Sequence, residues 1–249
     1  MSRSTEKSNP VDVARKVLEE YFPDAIVGFV GGSFNRGEET AYSDIDLVVI
    51  FNKVDFAWRE SFVFEQWPIE VFAHDPETLH YFFREIDAKS GIPSLASMVS
   101  EGPAIGEDQA LAGALENLAN HFLQGQPVIW SKETIDQQRY AITDLLDDLR
   151  EPRNTFEAHI TIGALHEVLG NFYFRSQCLW SASRKHIPRR LLKIDPVFYS
   201  EWVSSFEDAY AGQYDHLLLT AERILAPHGG FLFADYRIDA PVSWRLSLE

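Results

Sequence analysis

Apolar positions in the first hundred residues follow two periods. Val13, Val17, Leu18 and Tyr21 recur at helical spacing behind Asn9-Pro10, a cap followed by a first-turn proline, and Pro23 marks the stop. Two short apolar runs come next, Ala25–Val30 and Leu47–Phe51, both of strand length. Between Asp55 and Gln66, the residues Phe56, Trp58, Phe62 and Phe64 partly alternate, which predicts a strand or hairpin arm. Pro68–His74 reads as a further strand, with Glu70 set among apolar neighbours. Asp75-Pro76-Glu77 opens a second helix with Leu79, Phe82, Phe83 and Ile86 on one face, and Ser90-Gly91 ends it. A short helix is expected within residues 93–106, between Pro93 and Gly102-Pro103.

From about residue 107 the pattern is helical throughout. Leu111, Leu115, Leu118 and Phe122 mark one helix, and Ile135, Ile142, Leu145, Leu146 and Leu149 the next. Asn154-Thr155-Phe156-Glu157 resembles a capping box and opens a long helix through Leu165, Val168, Leu169 and Phe172. Pro188, Asp195-Pro196 and Asp215 begin three more. The expected architecture is an α/β N-terminal domain over residues 1–105, a mixed sheet with flanking helices, followed by a C-terminal α-helical bundle over residues 106–249. No internal repeat or low-complexity tract interrupts it.

Composition narrows the classes. A chain of 249 residues, 45% hydrophobic and with 18 Phe, can fill a sizeable core. Cys178 is the single cysteine, so no internal disulfide or cysteine-based zinc site is available, and a cytoplasmic protein is expected. Residues 1–9 are polar and lack the apolar centre of a signal segment. No apolar run approaches the ~18 residues that a membrane span needs. Leu248-Glu249 reads as a cloning remnant. A formal net charge of −16 opposes nucleic-acid binding, which calls for Lys and Arg to neutralise phosphates.

The chemistry gathers in one stretch. Gly31-Gly32-Ser33 closes the first apolar run, and Ser43-Asp44-Ile45-Asp46-Leu47 opens the second. Strand alternation sends Asp44 and Asp46 to one face, about 7 Å apart, and Ile45 and Leu47 to the other. Two such carboxylates repel unless a cation sits between them, and hard oxygen donors suit Mg²⁺ completed by substrate phosphates. Gly31 and Gly32 let backbone approach a ligand without a Cβ in the way, and Ser33 with the following amides can donate to phosphate oxygens.

Gly31-Gly32-Ser33, Arg36-Gly37 and Ser43-Asp44-Ile45-Asp46-Leu47, in that order on strand-like segments, resemble the signature of the nucleotidyltransferase (DNA polymerase β-like) superfamily. The two-part layout is similar to that of its small-molecule members, which adenylylate aminoglycosides and lincosamides. The resemblance implies transfer of an NMP, AMP from ATP first among the candidates, to a hydroxyl of a small molecule of aminoglycoside-like kind. It implies two Mg²⁺ ions held by Asp44 and Asp46, with Glu70 as third ligand or as the general base. Ser33 and Ser43 would bind the triphosphate. Arg36 would neutralise phosphate or pair with Glu38 or Glu39. The helical domain would close the cleft and supply a cation to the triphosphate. Six basic or histidine positions fall between 184 and 193, and Lys185, then Arg184, are the choices.

The expected partners are therefore an NTP and a small hydroxylated acceptor, cationic if the acidic residues Asp144, Asp147, Asp148, Glu151 and Glu157 line its cleft. No nucleic acid or membrane is expected, and a homodimer is allowed. His74 shares the Glu70 face and is read as the strand's end rather than as an acceptor-orienting group. His159 and His166 are read as packing or polar-face residues, and Trp130, Phe172, Tyr173, Trp180 and Trp202 as core. Two other classes stand beside this reading, a protein-modifying, antitoxin-type nucleotidyltransferase and a non-catalytic nucleotide-binding module. The long helical region weighs against the first, and the presence of Ser33, Asp44, Asp46 and Glu70 against the second.

Overall fold

A computed structural model of the chain describes residues 8–37, 40 and 42–247. Its contacts divide it into two compact units, Met1–Val128 and Ile129–Glu249.

The first unit opens with helix α1 (Pro10–Tyr21), capped where the Asn9 side chain accepts the Val11 amide at 2.9 Å. Five strands follow: β1 (Ala25–Gly31), β2 (Ile45–Phe51), β3 (Trp58–Phe64), β4 (Trp67–His74) and β5 (Ala104–Gly106). They form one sheet in the order β3-β4-β2-β1-β5, with β2 and β4 parallel and every other pair antiparallel. Alternation decides what each face meets. Ile45, Leu47, Val49, Ile69, Val71 and Ala73 pack in one cluster with Val13, Ala14, Val17 and Leu18 of α1. Val27, Phe29, Val48 and Ile50 point the other way, into a second cluster.

Three helices cover that second face. Helix α2 (Pro76–Tyr81) starts on a capping box between Asp75 and Thr78. It runs on through a π-helical turn (Phe82–Asp87) into α3 (Ala88–Ser90), which stops at the left-handed Gly91. Helix α4 (Ser94–Glu101) and helix α5 (Gln109–Gln124) complete the layer with Leu95, Ala96, Val99, Ala112, Leu115 and Ala119.

Two features depart from the sequence reading. The first unit continues to residue 128 instead of ending at 105, because the apolar stripe of α5 is buried against the same sheet. Strand β5 was not predicted; only three residues long, it pairs Val27, Gly28 and Phe29 with Gly106, Ile105 and Ala104 and carries too short a pattern to read.

The second unit is helical: α6 (Lys132–Arg150), α7 (Thr155–Arg175), α8 (His186–Ile194), α9 (Pro196–Tyr210) and α10 (Asp215–Leu225). Asn154 and Asp195 side chains cap α7 and α9 as their positions predict, and Ser131 caps α6. Their shared core holds Ile142, Leu146, Leu165, Phe172, Trp202 and Leu217. Among the aromatics read as core, Phe172, Trp180 and Trp202 are buried, and Trp130 and Tyr173 pack against the cluster partly exposed. No described helix is long and apolar enough to cross a membrane.

Trp202 anchors this core, 1% exposed and in ring contact with Phe198, Phe206 and His166. Trp202→Ala is expected to cost about 3–5 kcal/mol, read as a lowered urea midpoint for the transition that reports the helical unit.

Candidate active site

The register of four strands builds one polar row at an end of the sheet. Gly31 of β1 lies opposite Asp46 of β2, Asp46 opposite Glu70 of β4, and Glu70 opposite Ser61 of β3. Residues directly opposite share a face, so the four sit side by side. The next row on that face, Phe29, Val48, Phe72 and Arg59, puts an apolar floor beneath most of it. Asp44 precedes the first residue of β2 and is exposed, whereas Asp46 is half-buried within the strand. Asp46 and Glu70 therefore start from backbone positions about 4.8 Å apart, the spacing of neighbouring strands.

The two glycines leave space where side chains would obstruct. A Cβ on Gly31 would stand 3.2 Å from both the Asp46 Cβ and the Met98 Cγ, closer than most packed Cβ contacts, so a neighbour would have to give. Gly32 has φ +127°, a conformation that L side chains rarely adopt, and a Cβ there would come within 3.0 Å of the Phe34 ring. The chain then makes a short 3₁₀ turn (Ser33–Arg36) and leaves it at the left-handed Gly37. Ser33 Oγ donates to Ser43 Oγ at 2.8 Å, and Ser43 Oγ also accepts the Thr40 amide at 2.8 Å. This bridge ties the Gly-Gly-Ser turn to the segment carrying Asp44. Asn35 fastens the turn to β1 through a 2.7 Å bond to the Val30 carbonyl. The Arg36 side chain, with Glu38 and Glu39, lies outside the described residues.

Glu70 has partners on the neighbouring edge strand. Arg59 pairs with its Oε1, and Ser61 Oγ reaches the same oxygen at 3.5 Å. Among the described residues no three His, Cys, Asp or Glu side chains converge closely enough to hold a metal ion as they stand. The donor set nonetheless fits Mg²⁺: hard carboxylates on adjacent positions, beside a backbone cleared by Gly31. Asp44 and Asp46 would hold it, with Glu70 as third oxygen donor once turned from Arg59.

Behind the row, the same face becomes a core. His74 is 2% exposed and its ring meets Phe82 edge-on at 5.3 Å, so it finishes the strand and stays out of the site. Burial holds its pKa down at about 4, against a smaller opposing effect of Asp75. Asp75 is a structural cap. Burial alone would raise its pKa, but the Thr78 and Val54 amides, the Thr78 hydroxyl and Lys53 together hold it at about 2. Asp87 closes the π-helical turn, 4% exposed, and accepts the Ala96 amide at 3.2 Å. Burial lifts its pKa to about 6, opposed by the Ala96 and Leu95 amides.

The remaining sequence candidates lie in the second unit. Arg184 is exposed at φ +48°, with its amide on Glu167 at 2.8 Å and its carbonyl against His166 Nε2 at 3.0 Å. Lys185 precedes α8 and is exposed. Arg190 instead lies over the Phe174 ring. The acidic residues Asp144, Asp147, Asp148, Glu151 and Glu157 are all exposed; Asp147 pairs with Arg150, and Glu157 accepts Asn154 Nδ2 at 3.0 Å. His166 is half-buried in ring contact with Trp202 and Phe206, whereas His159 is exposed and meets the Tyr210 ring edge-on.

Sequence reasoning missed Arg59 and Ser61. Their signal was present in the phase of β3: with Trp58, Phe62 and Phe64 on one face, Arg59 and Ser61 occupy the other. What set them beside Glu70 is the two-residue turn Glu65-Gln66, both at positive φ, which closes the β3–β4 hairpin with Phe64 opposite Trp67. Glu-Gln is not a sequence that announces such a turn.

Residues 11–95 match the family model described as a nucleotidyltransferase domain, a span that contains Gly31, Gly32, Ser33, Arg36, Ser43, Asp44, Asp46 and Glu70. No curated protein matches the sequence. Among solved structures, a nucleotidyltransferase-like protein from Exiguobacterium sibiricum 255-15 matches at 13% identity and TM-score 0.44. That match covers 87% of this chain and 74% of the other, too distant a likeness to argue from.

Two outcomes test this description. Gly32→Ala is expected to cost about 1–3 kcal/mol for its strained φ, seen as a fall in thermal midpoint. The second concerns pH. The raised Asp87 pKa means that the folded state binds more protons than the unfolded between about pH 4 and 6, so ionising Asp87 destabilises as pH rises through that window. His74 acts oppositely, its lowered pKa removing stability as pH falls from about 6.5 to 4. Asp87→Asn is therefore expected to match wild type near pH 4 and to exceed it by at most about 3 kcal/mol above pH 6, measured by urea unfolding at each pH.

Proposed function

Starting from a nucleotidyltransferase domain over residues 11–95, we propose that this protein is a Mg²⁺-dependent enzyme that transfers AMP from ATP to a hydroxyl of a small, cationic, aminoglycoside-like acceptor in the cytoplasm. The observation that carries the reading is the row Gly31–Asp46–Glu70, in register across three neighbouring strands and joined to a Ser33–Ser43 bridge.

In this reading Ser33 and Ser43 receive the triphosphate, and the bare backbone at Gly31 and Gly32 lets it approach the carboxylates. Asp44 and Asp46 hold the divalent ions, which when bound supply charge stabilisation to the attacking and leaving oxygens. Glu70 orients the acceptor and takes its hydroxyl proton, or serves as third ligand. The chain's net charge of −16 favours a cationic acceptor through its overall field.

Titration calorimetry of a non-hydrolysable ATP analogue tests the site. Wild type is expected to bind it only with Mg²⁺ present, and Asp44→Asn/Asp46→Asn to lose that binding. Absence of binding by wild type in either condition overturns the reading. Glu70→Gln separates the roles of that residue: as base it keeps nucleotide affinity and loses about 10²–10⁴ in kcat with an accepted substrate.

A further inference from the structure

We propose that Arg59 is a positioning residue of this site, which draws the Glu70 carboxylate toward the edge strand and competes with a divalent cation for it. This rests on the nucleotidyl-transfer reading and adds to it a residue outside the signature. Arg59 lies on the edge strand, one row behind Glu70 and opposite Phe72. Diagonal neighbours on paired strands are within reach of a long side chain. Its guanidinium pairs with Glu70 Oε1 and lies 5.1 Å above the Phe72 ring, so ring and carboxylate both favour this placement of the planar group. Ser61, directly opposite Glu70, aims its hydroxyl at the same oxygen.

The electrostatics explain why such a pair is built here. Like charges directly opposite in a sheet repel, and Asp46 and Glu70 are directly opposite. Glu70 is 22% exposed, so water screens it only in part, whereas Arg59 is 62% exposed and can swing away. The guanidinium thus supplies positive charge to Glu70 before a metal arrives. It also occupies an oxygen that a metal would take. Arg59 and the cation are alternatives at Glu70.

The test is direct Mn²⁺ binding, followed by electron paramagnetic resonance of the free ion at fixed ionic strength. Arg59→Met is expected to bind Mn²⁺ about fivefold more tightly than wild type, the scale of one partly exposed ion pair. Arg59→Lys, which keeps the charge, should remain near wild type, and Arg59→Met should have no effect in a Glu70→Gln background. An unchanged dissociation constant in Arg59→Met overturns the proposal, as does equal tightening in Arg59→Lys or in the Glu70→Gln background. Those results leave nucleotidyl transfer standing if wild-type binding is lost in Asp44→Asn/Asp46→Asn. Wild type that binds no Mn²⁺ overturns both.

Discussion

The site depends on the parallel register of β2 on β4. Asp46 stands opposite Glu70 because Ile45, Leu47 and Val49 on one strand and Ile69, Val71 and Ala73 on the other must all face helix α1. A slip of one residue would turn either set out of the core, so register is held by burial of about six apolar side chains rather than by any polar contact. The same constraint forces two carboxylates together at the sheet's end, against their repulsion. Hydrophobic alternation therefore does the assembling, and the charged row is its consequence.

Local devices then shape the backbone and charge beside the row. Gly31 spares Asp46 a Cβ at 3.2 Å, and Gly32 turns the chain through a φ that other residues resist. The Ser33–Ser43 bridge holds the turn against the loop that carries Asp44. Arg59 brings a compensating charge from the edge strand. Deeper on the same face polarity stops: His74 is neutral by burial, and Asp87 is spent on α4, where it receives an amide. The face is thus graded along the strands, from the half-buried Glu70 carboxylate to the buried His74 four residues further along β4.

The second unit follows a different economy. Its core is rich in aromatic rings, and several of its arginines lie over them, Arg175 above Trp130 and Arg190 above Phe174. Part of the basic cluster that stands out in the sequence is therefore packing material, with Arg184 and Lys185 left exposed ahead of α8. A run of like residues in sequence does not stay one group once a helix distributes it around its circumference.

The sequence by itself determined most of the elements in their order, several helix caps and the candidate site residues. Asn9-Pro10, Asp75-Pro76 and Asp195-Pro196 start helices where they stand, since capping is a matter of three or four consecutive residues. The sequence also marked Asp44, Asp46 and Glu70, because acidic side chains in apolar strands need a reason. Only the tertiary structure decided that Asp46 and Glu70 are neighbours, that α5 belongs with the sheet, and that β5 exists at all. It alone set Arg59 against Glu70, through a hairpin turn without a recognisable sequence. These are pairings between segments far apart in the chain, and periodicity reports which face a residue takes without saying which strand lies beside it.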